Sequence, residues 1–118
     1  MLVEETKDDP FQLLALGATR KGREELAQKT GISHKLILEW VNLADLMRVP
    51  GIGEEYSDLL EESGVDTVLE LRNRKAANLH ARLIETNARK KLVRRVPSLK
   101  EVISWISHAK KLDQGIFY

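Results

Sequence analysis

The chain has no cysteine, which excludes disulfides and thiolate metal sites and fits a reducing compartment. Aromatic residues make up only 5% of it, too few for a platform on which single-stranded bases stack. No apolar run approaches the roughly 18–20 residues of a membrane span. The opening residues, Met1 to Asp9, are acidic and lack an apolar h-region, so no signal peptide is expected and the expected location is cytoplasmic. No apolar/polar alternation is long enough to read as a strand. Glycine and proline, at 7 and 3 residues, fall mainly where one helical pattern stops and the next begins.

What is present suits one soluble globular domain of 118 residues, 42% hydrophobic and 31% charged. The net charge of +1 hides an asymmetry. Residues 1–60 carry 7 Lys and Arg against 11 Asp and Glu; residues 61–118 carry 12 against 7. A basic C-terminal half is compatible with a polyanion partner, and equally with a solvated surface of mixed charge.

Helix punctuation is dense. Asp9-Pro10 reads as a cap followed by a first helical residue, with Gly17 as the stop. Thr19 caps a second helix that ends at Gly31. Ser33 caps a long third, through Leu36, Ile37, Trp40, Val41, Leu43, Ala44 and Met47, closed by Pro50. Gly53 opens a fourth, ended by Gly64. Asp66 is expected to cap a fifth and Asn73 to start a sixth. Ser98-Leu99-Lys100-Glu101 is a capping box opening the last. The expected fold is all-α, with about seven helices joined by short loops.

Shifting the chain by thirty-three positions lays Leu13 on Leu46, Leu26 on Leu59, Gly31 on Gly64 and Leu38 on Leu71. Two copies of a helix–hairpin–helix unit are the simplest account. The expected organisation is a single domain over residues 1–118, with repeats at about 11–45 and 46–85 and a C-terminal helix over 98–112. Trp40 and Trp105 each follow a helix-capping serine by seven residues, and both are expected on buried faces as core anchors.

The chain is organised around Leu46-Met47-Arg48-Val49-Pro50-Gly51-Ile52-Gly53, which reads as helix end, tight turn and helix start. Gly51 and Gly53 permit backbone angles closed to other residues, and replacing Gly53 by Val should destabilise the fold if the turn uses positive φ there. A helix start of this kind is a seat for a phosphate.

Val49-Pro50-Gly51-Ile52-Gly53, followed by Leu59-Leu60 and Gly64-Val65, resembles the helix-hairpin-helix signature of DNA repair and recombination proteins. Further stretches, among them Trp40-Val41-Asn42-Leu43-Ala44-Asp45-Leu46-Met47-Arg48, Gly64-Val65-Asp66-Thr67-Val68 and Val102-Ile103-Ser104-Trp105-Ile106, make nearly the whole chain resemble the prokaryotic domain of unknown function numbered 4332. The resemblance implies tandem helix-hairpin-helix units in a compact orthogonal helical bundle, SAM-domain-like, and no established reaction.

The sharpest functional reading is sequence-non-specific DNA binding through backbone amides and flanking cations. The donors would be Gly51, Ile52 and Gly53, with Arg48 beside them. A first hairpin would add Arg20, Lys21 and Arg23, and a helix junction Arg72, Arg74 and Lys75. Against this, Glu54 and Glu55 follow the glycines at once and would repel a phosphate there. The run Arg89-Lys90-Lys91-Leu92-Val93-Arg94-Arg95 reads either as a nucleic-acid patch or as a linker pinned by Leu92 and Val93. The expected partner is the phosphate backbone of double-stranded DNA; the alternative is a protein-interaction scaffold with a purely structural hairpin, for which the apolar tail Gly115-Ile116-Phe117-Tyr118 is a candidate contact. No catalytic residue, cofactor, metal ligand or membrane contact is expected: His34, His80 and His108 are scattered, and no phosphate-binding lysine follows the glycines.

Overall fold

The computed structural model describes residues 9–118, so the acidic stretch before Asp9 lies outside the described residues. Among those described there are seven α-helices and no strand. They are α1 (Pro10–Gly17), α2 (Arg20–Thr30), α3 (His34–Leu46), α4 (Glu54–Glu62), α5 (Val68–Leu71), α6 (Ala76–Lys90) and α7 (Leu99–Ala109).

Most helix starts stand where local chemistry puts them. The Asp9 carboxylate accepts the amides of Phe11 and Gln12, with Pro10 in the first turn. The Thr19 hydroxyl accepts the amide of Gly22 at 3.0 Å, and the Ser33 hydroxyl that of Leu36 at 3.2 Å. Ser98 and Glu101 form the reciprocal capping box of α7. Gly31 and Gly64 end α2 and α4 in left-handed conformation, with φ of 72° and 94°.

Two starts differ from the expectation. Thr67, not Asp66, caps α5: its hydroxyl accepts the Glu70 amide, while Glu70 reaches back to the amide of Asp66. Thr67-Val68-Leu69-Glu70 is itself the threonine–glutamate spacing of a capping box. Asn73 does not open α6. Its side chain donates to the Leu69 carbonyl, closing the helix behind it, and α6 starts from Lys75 with no side-chain cap.

The chain divides into two units, parted between Asp45 and Leu46. The first holds the residues up to Asp45 together with Gln114–Tyr118. Its core is Leu13, Ile37, Val41, Ala44 and Ile116, with Leu26, Ile32 and Trp40 packed partly buried against it. The second runs from Leu46 to Asp113. Its larger core gathers Leu46, Val49, Ile52, Leu59, Leu60, Leu71, Leu79, Leu83, Val102, Trp105 and Ile106. Trp105 is thus the anchor expected of it, while Trp40 is only half-buried.

Candidate nucleic-acid interface

The glycine turn lies within the second unit. Val49 and Ile52 are buried and Pro50, Gly51 and Gly53 are exposed. The amide of Val49 donates to the Leu46 carbonyl and that of Ile52 to the Val49 carbonyl, each at 3.1 Å. Of the three amides expected to face a phosphate, the Ile52 amide is therefore engaged in the turn itself. Gly51 has φ of 92°, and a Cβ there would stand 3.0 Å from Trp105 Nε1. Trp105 in turn packs against Tyr56 with ring centroids 5.2 Å apart. Gly53 corrects the expectation: its φ is −103°, extended backbone open to any residue, and a Cβ there would meet nothing within 4 Å. The amides of Gly53, Glu54 and Glu55 have no hydrogen-bond partner among the described residues, and both glutamates are exposed at this end of α4. Arg48 is drawn aside, its guanidinium donating to the Asp113 carbonyl at 2.7 Å.

The turn between α1 and α2 is built otherwise. Lys21 is exposed, and Arg20 is paired with Glu24 one helical turn on, at 3.2 Å. Arg23 is not a surface cation: it is 1% exposed. Its Nη1 donates to the carbonyls of Gly17 at 2.9 Å and Ala18 at 3.2 Å, and its Nη2 to that of Phe117 at 3.0 Å. The guanidinium lies 5.6 Å from the centroid of the Tyr118 ring, and its buried Nε has no partner. Burial pulls its pKa below the ordinary value, with Tyr118 acting in the opposite sense; an arginine so placed stays charged.

The third cluster meets the description of an anion site best. A pocket of about 380 Å³ opens at the start of α6, lined by Asn73, Arg74, Lys75, Asn78, Arg82 and Glu85 over the buried Leu79. Three cations face one carboxylate. Two of the cations are oriented: Arg74 Nη2 donates to the Gly64 carbonyl at 2.9 Å and Arg82 Nε to the Ser63 carbonyl at 2.7 Å. Both therefore grip the C-terminal end of α4, where cations complement the helix dipole. Lys75 is exposed, and Arg72 is half-buried beside the junction. The amides of Ala76, Ala77 and Asn78 have no partner among the described residues. Arg82 was not among the expected site residues. Its signal was periodicity: Lys75, Arg82 and Arg89 recur every seven residues, placing them on one face of α6.

The basic run from Arg89 to Arg95, which begins in the last turn of α6, is partly tied down. Lys90 pairs with Glu62, and Arg95 meets Glu101 through two bonds of 2.7 and 3.1 Å. Val93 is held by both amide atoms of the Asn87 side chain, at 2.9 and 3.1 Å, and Leu92 packs on the core. Leu92 and Val93 pin the segment as the linker reading expects, while Arg89, Lys91 and Arg94 stand exposed.

Among the described residues no group of three or more His, Cys, Asp or Glu side chains is placed to hold a metal ion, and no helix is long and apolar enough to cross a membrane. A family model described as a domain of unknown function (DUF4332) matches residues 8–112. No curated protein and no solved structure matches the chain.

Proposed function

Since the chain belongs to the DUF4332 family, a membership that names no reaction, we propose its function from the geometry: non-catalytic, sequence-non-specific binding of double-stranded DNA by its phosphate backbone. The pocket at the start of α6 is the seat for a phosphate, and the α6 face through Arg82 and Arg89 extends it. The observation that carries this reading is the convergence of Arg74, Lys75 and Arg82 on one pocket, beside amides that have no partner among the described residues. Phosphate contacts of this type set affinity and its salt dependence and carry no sequence information. The glycine turn is secondary in this reading, because Glu54 and Glu55 oppose an anion where its free amides stand.

Fluorescence anisotropy with a labelled mixed-sequence duplex tests the proposal. Affinity should fall steeply as salt rises. Lys75 and Arg89 are the cleaner pair to change, because Arg74 and Arg82 also hold the end of α4. Lys75→Gln with Arg89→Gln should weaken binding alike for all sequences and lower the salt slope by about 2. Absence of binding at low salt, or an unchanged affinity in the double variant, overturns it. A second reading, a protein-docking scaffold, draws on Leu99 and Ile103, which lie one turn apart on α7 and are 41% and 52% exposed.

A further inference from the structure

Among its described residues the second unit exposes three large hydrophobic side chains: Ile84 at 45%, Leu99 at 41% and Ile103 at 52%. All three lie on α6 and α7, which pack against each other. On α6, Ala77, Ala81, Ile84 and Ala88 are exposed and recur at i, i+4, i+7 and i+11, one stripe along the helix. This stripe stands about a third of a turn from Lys75, Arg82 and Arg89, so α6 shows an apolar flank as well as a cationic one. The apolar flank is the one beside α7. His80, one turn before Ile84, donates through Nε2 to the Pro97 carbonyl at 2.9 Å, two residues before Leu99. On α7, Leu99 and Ile103 are one turn apart, and the exposed Lys110 continues their line.

Two such stripes side by side are a surface on which a third helix can lay its own i, i+3, i+4 and i+7 residues. The surrounding charge says which kind of helix. Residues 72–111 carry 12 Lys and Arg against 2 Asp and Glu. Of the two carboxylates, Glu101 is held by Arg95, and Glu85 lines the phosphate pocket. Lys91 at the end of α6, and Lys100 and Lys110 on α7, stand exposed beside the apolar stripes. We propose that this face of α6 and α7 docks an amphipathic helix of a protein partner, apolar on one side and bordered by Asp and Glu. The partner's apolar side covers Ile84, Leu99 and Ile103, and its carboxylates meet the lysines at the rim. A DNA backbone matches the charge but leaves the apolar surface wet; a neutral helix covers that surface but leaves the cations without counter-charge. The inference rests on the protein-docking reading and owes nothing to DNA binding, which is assigned to the other flank of α6.

The test uses the full chain and a labelled, end-capped peptide of two Glu-Leu-Leu-Glu-Ala-Leu-Glu repeats, followed by fluorescence anisotropy. The peptide should bind, and its counterpart with Lys for every Glu should bind about tenfold more weakly or worse. Leu99→Gln with Ile103→Gln should weaken the acidic peptide about tenfold or more. Both side chains are exposed, so this variant should melt with the parent and keep its duplex affinity, which separates loss of docking from loss of the fold or of DNA binding. Lys100→Glu with Lys110→Glu should weaken the acidic peptide as well, more at low salt than at high. Equal binding of the two peptides would keep a docking face but overturn the acidic partner. No binding of the acidic peptide, or binding that both double variants leave unchanged, overturns the proposal outright.

Discussion

The turn from Ala18 to Arg23 and the turn from Arg48 to Gly53 join helices in similar ways, but different devices hold them. In the first, a buried guanidinium is surrounded by carbonyl oxygens from Gly17, Ala18 and Phe117. In the second, the backbone closes on itself through Val49 and Ile52, with Gly51 laid over Trp105. One device uses charge to satisfy main-chain acceptors; the other uses left-handed backbone to let an indole approach. A cation in a hairpin is not, for being there, available to a ligand. The first turn contributes Lys21 to the surface, an Arg20 shared with Glu24, and no Arg23. The second contributes amides but places carboxylates beside them.

The largest expected effect is at Arg23. Arg23→Met keeps most of the volume and leaves carbonyls without their donors, so it should destabilise the fold by about 2–4 kcal/mol. Calorimetry should show a lower melting temperature. Arg23→Lys should recover only part, because one ammonium cannot reproduce the planar fork that reaches three carbonyls. A variant as stable as the parent would mean that the first turn, like the second, is held by its backbone.

Within the second turn, the two glycines should part company. Gly51→Ala must place a Cβ at positive φ and 3.0 Å from Trp105 Nε1, a strain of about 1–3 kcal/mol. Gly53→Ser meets open space at an extended φ and supplies the missing side-chain cap of α4, so it should gain a few tenths of a kcal/mol. Equal losses at both positions would show that the turn depends on both glycines.

A smaller effect separates the turn from the α6 pocket as a phosphate seat. Glu54→Gln with Glu55→Gln removes two negative charges beside the free amides. If α6 is the seat, duplex affinity should rise by a few-fold through long-range charge alone, and the gain should vanish near physiological salt. A gain that persists at high salt would transfer the phosphate contact to the glycine turn.

What could be read before the fold was known follows from the range of each interaction. Asp9, Thr19, Ser33 and the Ser98–Glu101 box act within three residues of themselves, and all stand where sequence places them. So does the all-helical count of seven among the described residues. The Thr67 cap is equally local, but Asp66 beside it is as good a cap in isolation, so sequence does not choose between them. The φ of Gly53 was not legible, since an N-cap glycine and a left-handed glycine are the same letter. Arg23 was the hardest case: one of its acceptors lies 94 residues away, and nothing near it distinguishes it from Arg20. Arg74 and Arg82 drew their orientation from Gly64 and Ser63, ten and nineteen positions off. The pocket they frame is a tertiary feature assembled from residues that are individually ordinary.

Acid titration sets two arginine environments apart, with the smallest expected change in stability. Arg95 holds a carboxylate where Arg23 holds carbonyls. The bond from Arg95, together with the Ser98 amide, lowers the Glu101 pKa to about 2, from the ordinary 4.5. A carboxylate depressed on folding stabilises the native state above its ordinary value, and that stabilisation is lost as pH falls from about 4.5 toward 2. Because the pair lies at the surface, solvent and salt screen much of it. Glu101→Gln should therefore flatten part of the loss in melting temperature across that window, and the difference from the parent should shrink in high salt. Arg23→Met should lower the whole curve, because the carbonyl oxygens of Gly17 and Phe117 lose their donor at every pH. A loss confined to the acid window would mean that the charge of Glu24, which also acts on this guanidinium, and not the carbonyls, carries the contribution of Arg23.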